Sequence, residues 1–291
     1  VQTRRHGLPE QPINIPLRWL RDDVQEYAVE EFKSAVEFLE KHTGNKYDWD
    51  KLAEACEIWN AQNRAKFEKW EYNRTDIPPH TGATAWLYRI FEHQAVCGVQ
   101  RALDNDLKVN KLLAKQVAER KFPKTVRYRA ILWNTPCNNY ANFNNWLLNC
   151  WGIDSVCEMI DIHGTEQIDT SSRENMLFGI AKMFQTSTMR AHTKGGYEVM
   201  VDDLWQKYAE YNCDMIILFD QISCKGVGAI NGIFEEGAKK RGLLMCTVRQ
   251  DLMDPTTINR LEMRAAVNTF IQTHMTAEPI EPSLVDFDDA E

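Results

Sequence analysis

Residues Cys213–Gly228 read Cys-Asp-Met-Ile-Ile-Leu-Phe-Asp-Gln-Ile-Ser-Cys-Lys-Gly-Val-Gly, and this stretch decides the fold. Its apolar run is short, contains two isoleucines and a phenylalanine, and has polar residues on both sides. This pattern predicts a buried parallel strand over Met215–Phe219, then a short turn and a helix that begins near Ala229. In open α/β sheets, ligands bind outside the carboxyl ends of the strands, next to helix N-termini.

Cys224 lies at that position and is followed by Lys225 and two glycines. A helix N-terminus and a lysine both favour the thiolate, which is the form of cysteine that binds metals or attacks an electrophile. The alternative is a small apolar residue that fills a turn, which is the commoner role of a single cysteine. The position of Cys224 on the sheet favours a functional role.

The composition indicates a globular protein with one large or two modest domains. The chain has 291 residues and a net charge of −8, which favours neither disorder nor a nucleic-acid partner. No stretch is long and apolar enough to span a membrane, and the N-terminus has no signal-peptide core, so we expect a cytoplasmic protein. The first residues, which include no initiator Met, read like the middle of a longer chain.

Periodicity divides the chain into four segments. Residues 1–16 are predicted to form an extended arm, and the acidic, proline-containing tail at 277–291 is predicted to be solvated. Between them lie a helical block at 17–121 and a parallel α/β domain at 122–276. In the helical block, apolar spacing predicts a helix from Arg21 to Gly44, a second from the Asp48 cap to before Pro78, a third over Gly82–Leu103 and a fourth over Leu107–Arg120.

In the α/β domain, strands alternate with helices. The predicted strands are Val126–Trp133, Ser155–Ile162, Met215–Phe219 and Leu243–Val248; the predicted helices are Phe143–Asn149, Ser171–Phe184, Tyr197–Tyr211, Ala229–Arg241 and Thr256–His274. This alternation predicts a small four-stranded parallel sheet covered by helices, of the flavodoxin or Rossmann type. Because no Gly-x-Gly-x-x-Gly or Walker loop is present, we do not expect a nucleotide-phosphate site.

Three strand ends are expected to meet at one edge of this sheet. They carry Asn134–Asn139, Ser223–Lys225 and Arg249–Pro255. Within them, Cys137 taken alone is more typical of a packed thiol, and Asp254-Pro255 is more typical of a cap on the last helix. The polar segment Gln185–Gly196, with Arg190, His192 and Lys194, is either a cover for an anionic ligand such as a CoA phosphate or an exposed connection.

Cysteine spacing gives no indication of a closed zinc site. None of the eight cysteines forms a Cys-x-x-Cys pair, and the closest two are Cys150 and Cys157. In a reducing compartment we expect buried thiols, with one or two of them functional. The histidines show no metal or triad spacing, and no Gly-x-Ser-x-Gly element supports a hydrolase.

These motifs together resemble the family of 2-hydroxyacyl-CoA dehydratases, which also contains subunits of ATP-driven benzoyl-CoA reductases. The resemblance runs from about Ile15 to His274 and is most like the larger, α-type dehydratase subunit. The motifs that carry it are Ile15-Pro16, Leu39-Glu40 and Thr43–Asp48, Pro136-Cys137, Ser223-Cys224-Lys225, and Asp251–Pro255. Each motif is short, and their order and spacing make the resemblance specific.

The resemblance implies a site and a set of partners. Subunits of this family hold an iron–sulfur cluster (4Fe-4S) between two α/β domains, with three cysteine ligands, of which only the last maps here, onto Cys224. Cys137 is then a pocket thiol, and Lys225 tunes or covers the site. A separate ATP-hydrolysing activator protein injects one electron, and the acyl-CoA substrate loses its 2-hydroxyl group through a ketyl radical. The implied partners are an acyl-CoA, this activator and a homologous second subunit.

The sequence also departs from the family. Compared with the family, we expect that this sequence lacks the N-terminal α/β domain with its two cluster ligands, and that either a separate chain or a segment outside this sequence supplies them. Gly226-Val227 stands where Pro-Trp is frequent, and Thr256 stands where Arg is common. The cluster is therefore expected to be shared with ligands outside this chain. Two alternatives stay open: a subunit of an ATP-dependent benzoyl-CoA reductase, which uses the same scaffold, and a non-catalytic assembly subunit that has lost the cluster.

Overall fold

A four-stranded parallel sheet forms the centre of the computed structural model. The structure describes residues 5–14, 16, 21–79, 96–121, 125–135, 140, 142–159, 166–188, 192, 196–252, 254 and 256–287. The strands are β1 (Tyr128–Trp133), β2 (Ile153–Glu158), β3 (Met215–Gln221) and β4 (Leu244–Gln250), in the spatial order β2-β1-β3-β4. Every neighbouring pair is parallel. The predicted fold class is therefore confirmed.

Helices accompany the strands along the chain. They are α1 (Asp22–Thr43), α2 (Trp49–Tyr72), α3 (Gln100–Ala118), α4 (Phe143–Trp146, continued by a π-helical turn at Leu147–Trp151), α5 (Arg173–Thr186), α6 (Tyr197–Glu210), α7 (Lys225–Gly228), α8 (Asn231–Arg241) and α9 (Arg260–Phe270, continued by a π-helical turn at Ile271–Met275). In the part of the chain that is described, none of them is both long and apolar enough to cross a membrane.

Both faces of the sheet are buried, which explains the continuous apolar run of β3. Ile217 and Phe219 point into a first core that includes side chains of α4 and α9. Ile216 and Leu218 point into a second core that includes side chains of α6 and α8. A strand buried on both faces gains from apolar side chains at successive positions, so strict alternation is absent.

The helical block begins as the sequence predicts. Gly44 ends α1 with φ 73°, a left-handed conformation that glycine adopts without strain. Asp48 caps α2, because its side chain accepts a hydrogen bond from the Lys51 backbone nitrogen at 3.0 Å. The block shares the second core with the sheet through Trp70, and its boundary at 121 stays a prediction.

One predicted break in the helical block is wrong. The sequence predicts that one helix ends at Leu103 and another begins at Leu107, but α3 runs through both positions. Asp106, which resembles a helix-starting residue, is fully buried and forms an ion pair with Lys69 of α2 at 2.7 Å. This tertiary contact keeps Asp106 inside the helix. Residues 80–95, over which the predicted third helix begins, lie outside the described part.

The predicted start of the last helix is also wrong. The last helix begins at Arg260 rather than at Thr256, and its cap is Asn259, which forms a reciprocal capping box with Glu262. The side chain of Asp254 instead accepts hydrogen bonds from the backbone and hydroxyl of Thr256, at 2.9 and 2.6 Å. After β3, the chain forms the short α7 at Lys225 before α8, whereas the sequence places the first helix near Ala229.

The segment after α9 is not simply solvated, contrary to the expectation for an acidic tail. The backbone nitrogen of Ile280 donates to the Cys150 carbonyl at 2.7 Å, and the Trp146 indole donates to the Leu284 carbonyl at 2.9 Å. Leu284 and Val285 pack against the first core. Apolar side chains between the carboxylates therefore dock this segment onto α4, because burial of their surface favours the packed state.

Candidate functional site

The order of the strands brings three carboxyl ends next to one another. β3 pairs with β1 on one side and with β4 on the other, so the residues that follow these strands share one edge of the sheet. Gln221 and Gln250, the last residues of β3 and β4, are register partners. The Ile222 backbone nitrogen continues the ladder by donating to the Gln250 carbonyl at 3.1 Å. This edge is where ligands bind in open α/β sheets.

Cys224 lies in the turn that follows β3. Its backbone nitrogen donates to the Gln221 carbonyl at 3.1 Å, and its carbonyl accepts from Gly228 at 2.9 Å. Cys224 is half-buried, whereas Lys225 is exposed. Cys224 is also the residue that precedes α7, and its side chain makes no capping hydrogen bond. The backbone is therefore fixed while the thiol stays partly accessible at the edge of the sheet.

Most of the other described cysteines lie inside the protein. Cys56, Cys150, Cys157, Cys213 and Cys246 are buried. Burial raises the pKa of the Cys150 thiol to about 11 and the pKa values of the Cys213 and Cys246 thiols to about 12. A thiol that is held protonated is a poor metal ligand. Cys97 is exposed, but it lies in the helical part of the chain next to Gly98, which donates to Gln62 of α2 at 2.7 Å.

Two of the predicted site segments fall wholly or partly outside the described residues. Cys137 lies outside them, so its role as a pocket thiol stays a prediction. Of the predicted cover at Gln185–Gly196, residues 185–188, 192 and 196 are described, and of its three named basic residues this includes His192, which is buried. Its Nε2 lies 2.7 Å from Oδ2 of Asp203, and its ring packs 5.8 Å from that of Trp133, between ring centroids. The His192 imidazole is therefore packed against the last residue of β1 in the interior and is not on the surface.

Buried amide side chains line the edge; the sequence places Asn134 at a strand end without indicating a role for its amide, and it does not indicate Asn231. Asn134 follows β1 with φ 66°, and its amide nitrogen donates to the Phe219 carbonyl at 2.9 Å. The amide nitrogen of Asn231 in α8 donates to Oδ1 of Asp220 at 2.8 Å. A left-handed asparagine at a strand end is an uncommon backbone state that concentrates at functional sites. Its signal in the sequence is only a polar residue directly after an apolar run.

The described residues supply part of what an iron–sulfur cluster needs. Such clusters are usually held by four cysteine thiolates. Within the described ranges, no group of three or more His, Cys, Asp or Glu side chains is placed to hold a metal ion. Cys224 is the accessible thiol that these residues bring to the edge. The donor set therefore fits a cluster as one ligand among several and not as a complete site.

Comparison with known proteins identifies the family of the chain. No curated protein matches it. A family model described as 2-hydroxyglutaryl-CoA dehydratase, D-component, matches residues 5–273, which is nearly the whole chain. This match confirms the resemblance that the Pro-Cys and Ser-Cys-Lys motifs indicate. The chain belongs to the family of the 2-hydroxyglutaryl-CoA dehydratase D-component.

Proposed function

We propose that this protein is a subunit of an enzyme that removes water from a 2-hydroxyacyl-CoA, and that Cys224 is its ligand to a [4Fe–4S] cluster shared with ligands outside this chain. The observation that carries the proposal is the half-buried Cys224 at the carboxyl edge of the sheet, in a chain of a dehydratase family. Burial raises the pKa values of the Cys213 and Cys246 thiols, which lie in the cores, and so disfavours their thiolates.

The residues around Cys224 support this assignment. Two backbone hydrogen bonds fix the turn, so the thiolate is presented without the entropy loss of ordering a mobile loop. Lys225 places an exposed positive charge next to the thiolate, and it also suits an anionic group of the substrate. When bound, the cluster supplies one-electron chemistry at a potential set by its ligands and surroundings. Cys137 is proposed as a further thiol of the pocket.

The proposal includes partners. The family description names one component of a dehydratase, which supports an assembly of several chains. We propose a homologous second subunit, which supplies further ligands, and a separate ATP-hydrolysing activator protein that delivers the electron. The substrate is an acyl-CoA with a hydroxyl group at carbon 2, and the product is the corresponding enoyl-CoA plus water.

The test is an anaerobic preparation of the complex, followed by iron and sulfide analysis and visible spectroscopy. We expect Cys224→Ser to lose the cluster absorption. Cys97→Ser is the matched control, because Cys97 is an exposed cysteine that precedes α3 and does not belong to the three strand-end segments, and it is expected to keep the absorption. Cys137→Ser is also expected to keep it. Equal loss in the Cys224 and Cys137 variants would show that the ligand is wrongly assigned.

Product analysis separates the dehydratase from its closest alternative. With the activator, ATP and a reductant, the dehydratase converts a 2-hydroxyacyl-CoA into an enoyl-CoA. An ATP-dependent benzoyl-CoA reductase would instead convert an aromatic acyl-CoA into a cyclic dienoyl-CoA with two electrons gained. A complex that contains no iron, with all partners present, would reject the proposal and leave a non-catalytic assembly subunit.

A further inference from the structure

Asp220 and Arg249 form an ion pair at the carboxyl edge of the sheet. They are register partners on β3 and β4, and Nε of Arg249 lies 3.5 Å from Oδ2 of Asp220. Register partners on neighbouring parallel strands point to the same face. Leu218, two residues before Asp220, points into the second core, to which α8 contributes Phe234. The ion pair therefore lies on the face of the sheet that α8 covers.

The two charges of this pair differ in their access to water. The side chain of Asp220 is 24% exposed, whereas that of Arg249 is 68% exposed. Water and salt weaken the field of an exposed charge more than the field of a shielded one. The Asp220 carboxylate therefore acts on its surroundings more strongly than the Arg249 guanidinium does.

A hydrogen-bond network fixes the position of this carboxylate. Asn231, the first residue of α8, is 9% exposed and donates its amide nitrogen to Oδ1 of Asp220 at 2.8 Å. Oδ1 of Asn231 accepts in turn from the amide nitrogen of Asn134, which follows β1, at 3.3 Å. With Arg249 at the other oxygen, the network joins the ends of β1, β3 and β4 to the start of α8. Such a network orders the side chains that it connects.

The Asp220 carboxylate lies next to α7, the short helix that Cys224 precedes. Oδ1 of Asp220 is 3.8 Å from the position that a Cβ atom on Gly228 would occupy. Gly228 is the last residue of α7, and its backbone nitrogen donates to the Cys224 carbonyl at 2.9 Å. Asp220 is also four residues before Cys224 in the chain. A fixed negative charge therefore lies beside the turn that presents the thiol.

We infer that Asp220 lowers the reduction potential of the cluster that Cys224 binds, and that Arg249 offsets part of this effect. The inference rests on the proposed function. Reduction adds one electron, and therefore negative charge, to a cluster, so a fixed anion nearby disfavours it and a cation favours it. The charge around a cluster is one of the determinants of its potential. Asp220 thereby makes the reduced cluster a stronger electron donor to the acyl-CoA.

The experiment measures the midpoint potential of the cluster in the complete anaerobic complex, by titration with dithionite in the presence of redox dyes. The variants Asp220→Asn and Arg249→Gln each remove one charge. The new amide of Asp220→Asn keeps an oxygen that can accept from Asn231. Glu236→Gln is the matched control, because the Glu236 carboxylate is also paired with a cation, Lys240 at 2.6 Å, but is 66% exposed on α8.

We expect Asp220→Asn to shift the potential to a more positive value, because Arg249 then acts without an opposing charge. Arg249→Gln is expected to shift it to a more negative value and by a smaller amount, since water screens the exposed guanidinium. Glu236→Gln is expected to leave it unchanged. Amide hydrogen exchange of Gly228 in the chain is expected to be the same in all variants, which shows that the turn at Cys224 is not displaced.

The sign of the two shifts decides the inference. If both variants keep the cluster and its potential does not change, or changes in the same direction in both, the inference is overturned and the proposed function still stands. If Asp220→Asn does not retain the cluster, Arg249→Gln decides alone: a more negative potential supports the inference, and an unchanged or more positive one overturns it. A complex without a cluster overturns the inference and the proposed function together.

Discussion

At the residue scale, Gly152 joins the π-helical turn after α4 to β2 at a point where the structure leaves no room for a side chain. Its φ of 71° is left-handed, and an added Cβ would lie 2.7 Å from Cδ1 of Ile280 and 3.2 Å from the carbonyl oxygen of Thr125. The glycine therefore serves two purposes. It ends the π-helical turn, and it lets the segment after α9 approach the start of the sheet.

Gly152→Ala is expected to lower the free energy of unfolding by about 2–4 kcal/mol, from left-handed strain plus displacement of Ile280. Gly44→Ala is the matched control, because Gly44 has φ 73° and nothing within 4 Å of the added Cβ. Its cost is about 1–2 kcal/mol, from strain alone. Urea unfolding measures both values. Equal losses would show that the close approach at Gly152 contributes nothing.

Some residues of the site are readable in the sequence and others are not. Cys224 is recognisable, because an apolar run followed by a turn and a lysine places it at a strand end. The pairing of Gln221 with Gln250 is not, because it joins strands whose register depends on the tertiary fold. The left-handed φ of Asn134 likewise follows from its bond to Phe219, 85 residues away.

At the element scale, an ion pair between α2 and α3 stabilises α3 at the position where the sequence predicts a break between two helices. Lys69 and Asp106 lie 2.7 Å apart with side chains 6% and 0% exposed. Asp106→Ala is expected to lower the free energy of unfolding by about 3–5 kcal/mol, because it leaves the buried Lys69 ammonium without this carboxylate. Urea unfolding followed by circular dichroism measures the change.

The control for this prediction is an exposed ion pair in the same block. Arg120 and Asp76 lie 2.8 Å apart, with side chains 66% and 72% exposed. Asp76→Ala is expected to leave stability nearly unchanged, since water screens the two charges. The double variant Lys69→Met/Asp106→Leu is expected to be more stable than Asp106→Ala alone. A double variant as unstable as the single one would contradict the role of the charge.

Local sequence patterns predict the strong helices and strands, but they do not decide between competing helix starts. Strands and helices are predicted where apolar spacing is strong, as in α1 and β3. Two helix starts compete before α9, because Asp254-Pro255 and Asn259-x-x-Glu262 are both start signals. The second wins through reciprocal hydrogen bonds that close a capping box, and that choice is visible only in the folded chain.

At the scale of the whole molecule, alternation of strands and helices predicts a parallel sheet, but periodicity does not give its order. The order β2-β1-β3-β4 places β1 and β3 in the centre, with β4 at the edge beside α9. The site depends on that order, because it makes the ends of β1, β3 and β4 neighbours. The docking of residues 277–287 is likewise set by packing and not by their acidic composition.

At the same scale, thiols buried in the two cores predict that the free energy of unfolding falls at alkaline pH. Burial raises the pKa values of Cys213 and Cys246 to about 12, above the ordinary value of 9.0. A group whose pKa is higher in the folded state contributes stability that is fully present below its unfolded pKa and is lost as pH rises through its folded pKa. Between about pH 8 and pH 10, we expect a loss of about 1 kcal/mol for each thiol.

Urea unfolding at the two pH values measures this loss, and the double variant Cys213→Ala/Cys246→Ala isolates its cause. The variant lacks both thiols, so its free energy of unfolding is expected to fall less over the same interval, even though small cavities lower its starting value. Tyr208 and Tyr211, whose pKa values are also raised by burial, add a smaller loss as pH approaches 10, because their ordinary pKa is 10.0, and this loss is the same in the protein and in the variant. If the protein and the variant lose the same free energy, general charge repulsion and not the buried thiols controls the alkaline limit of the fold.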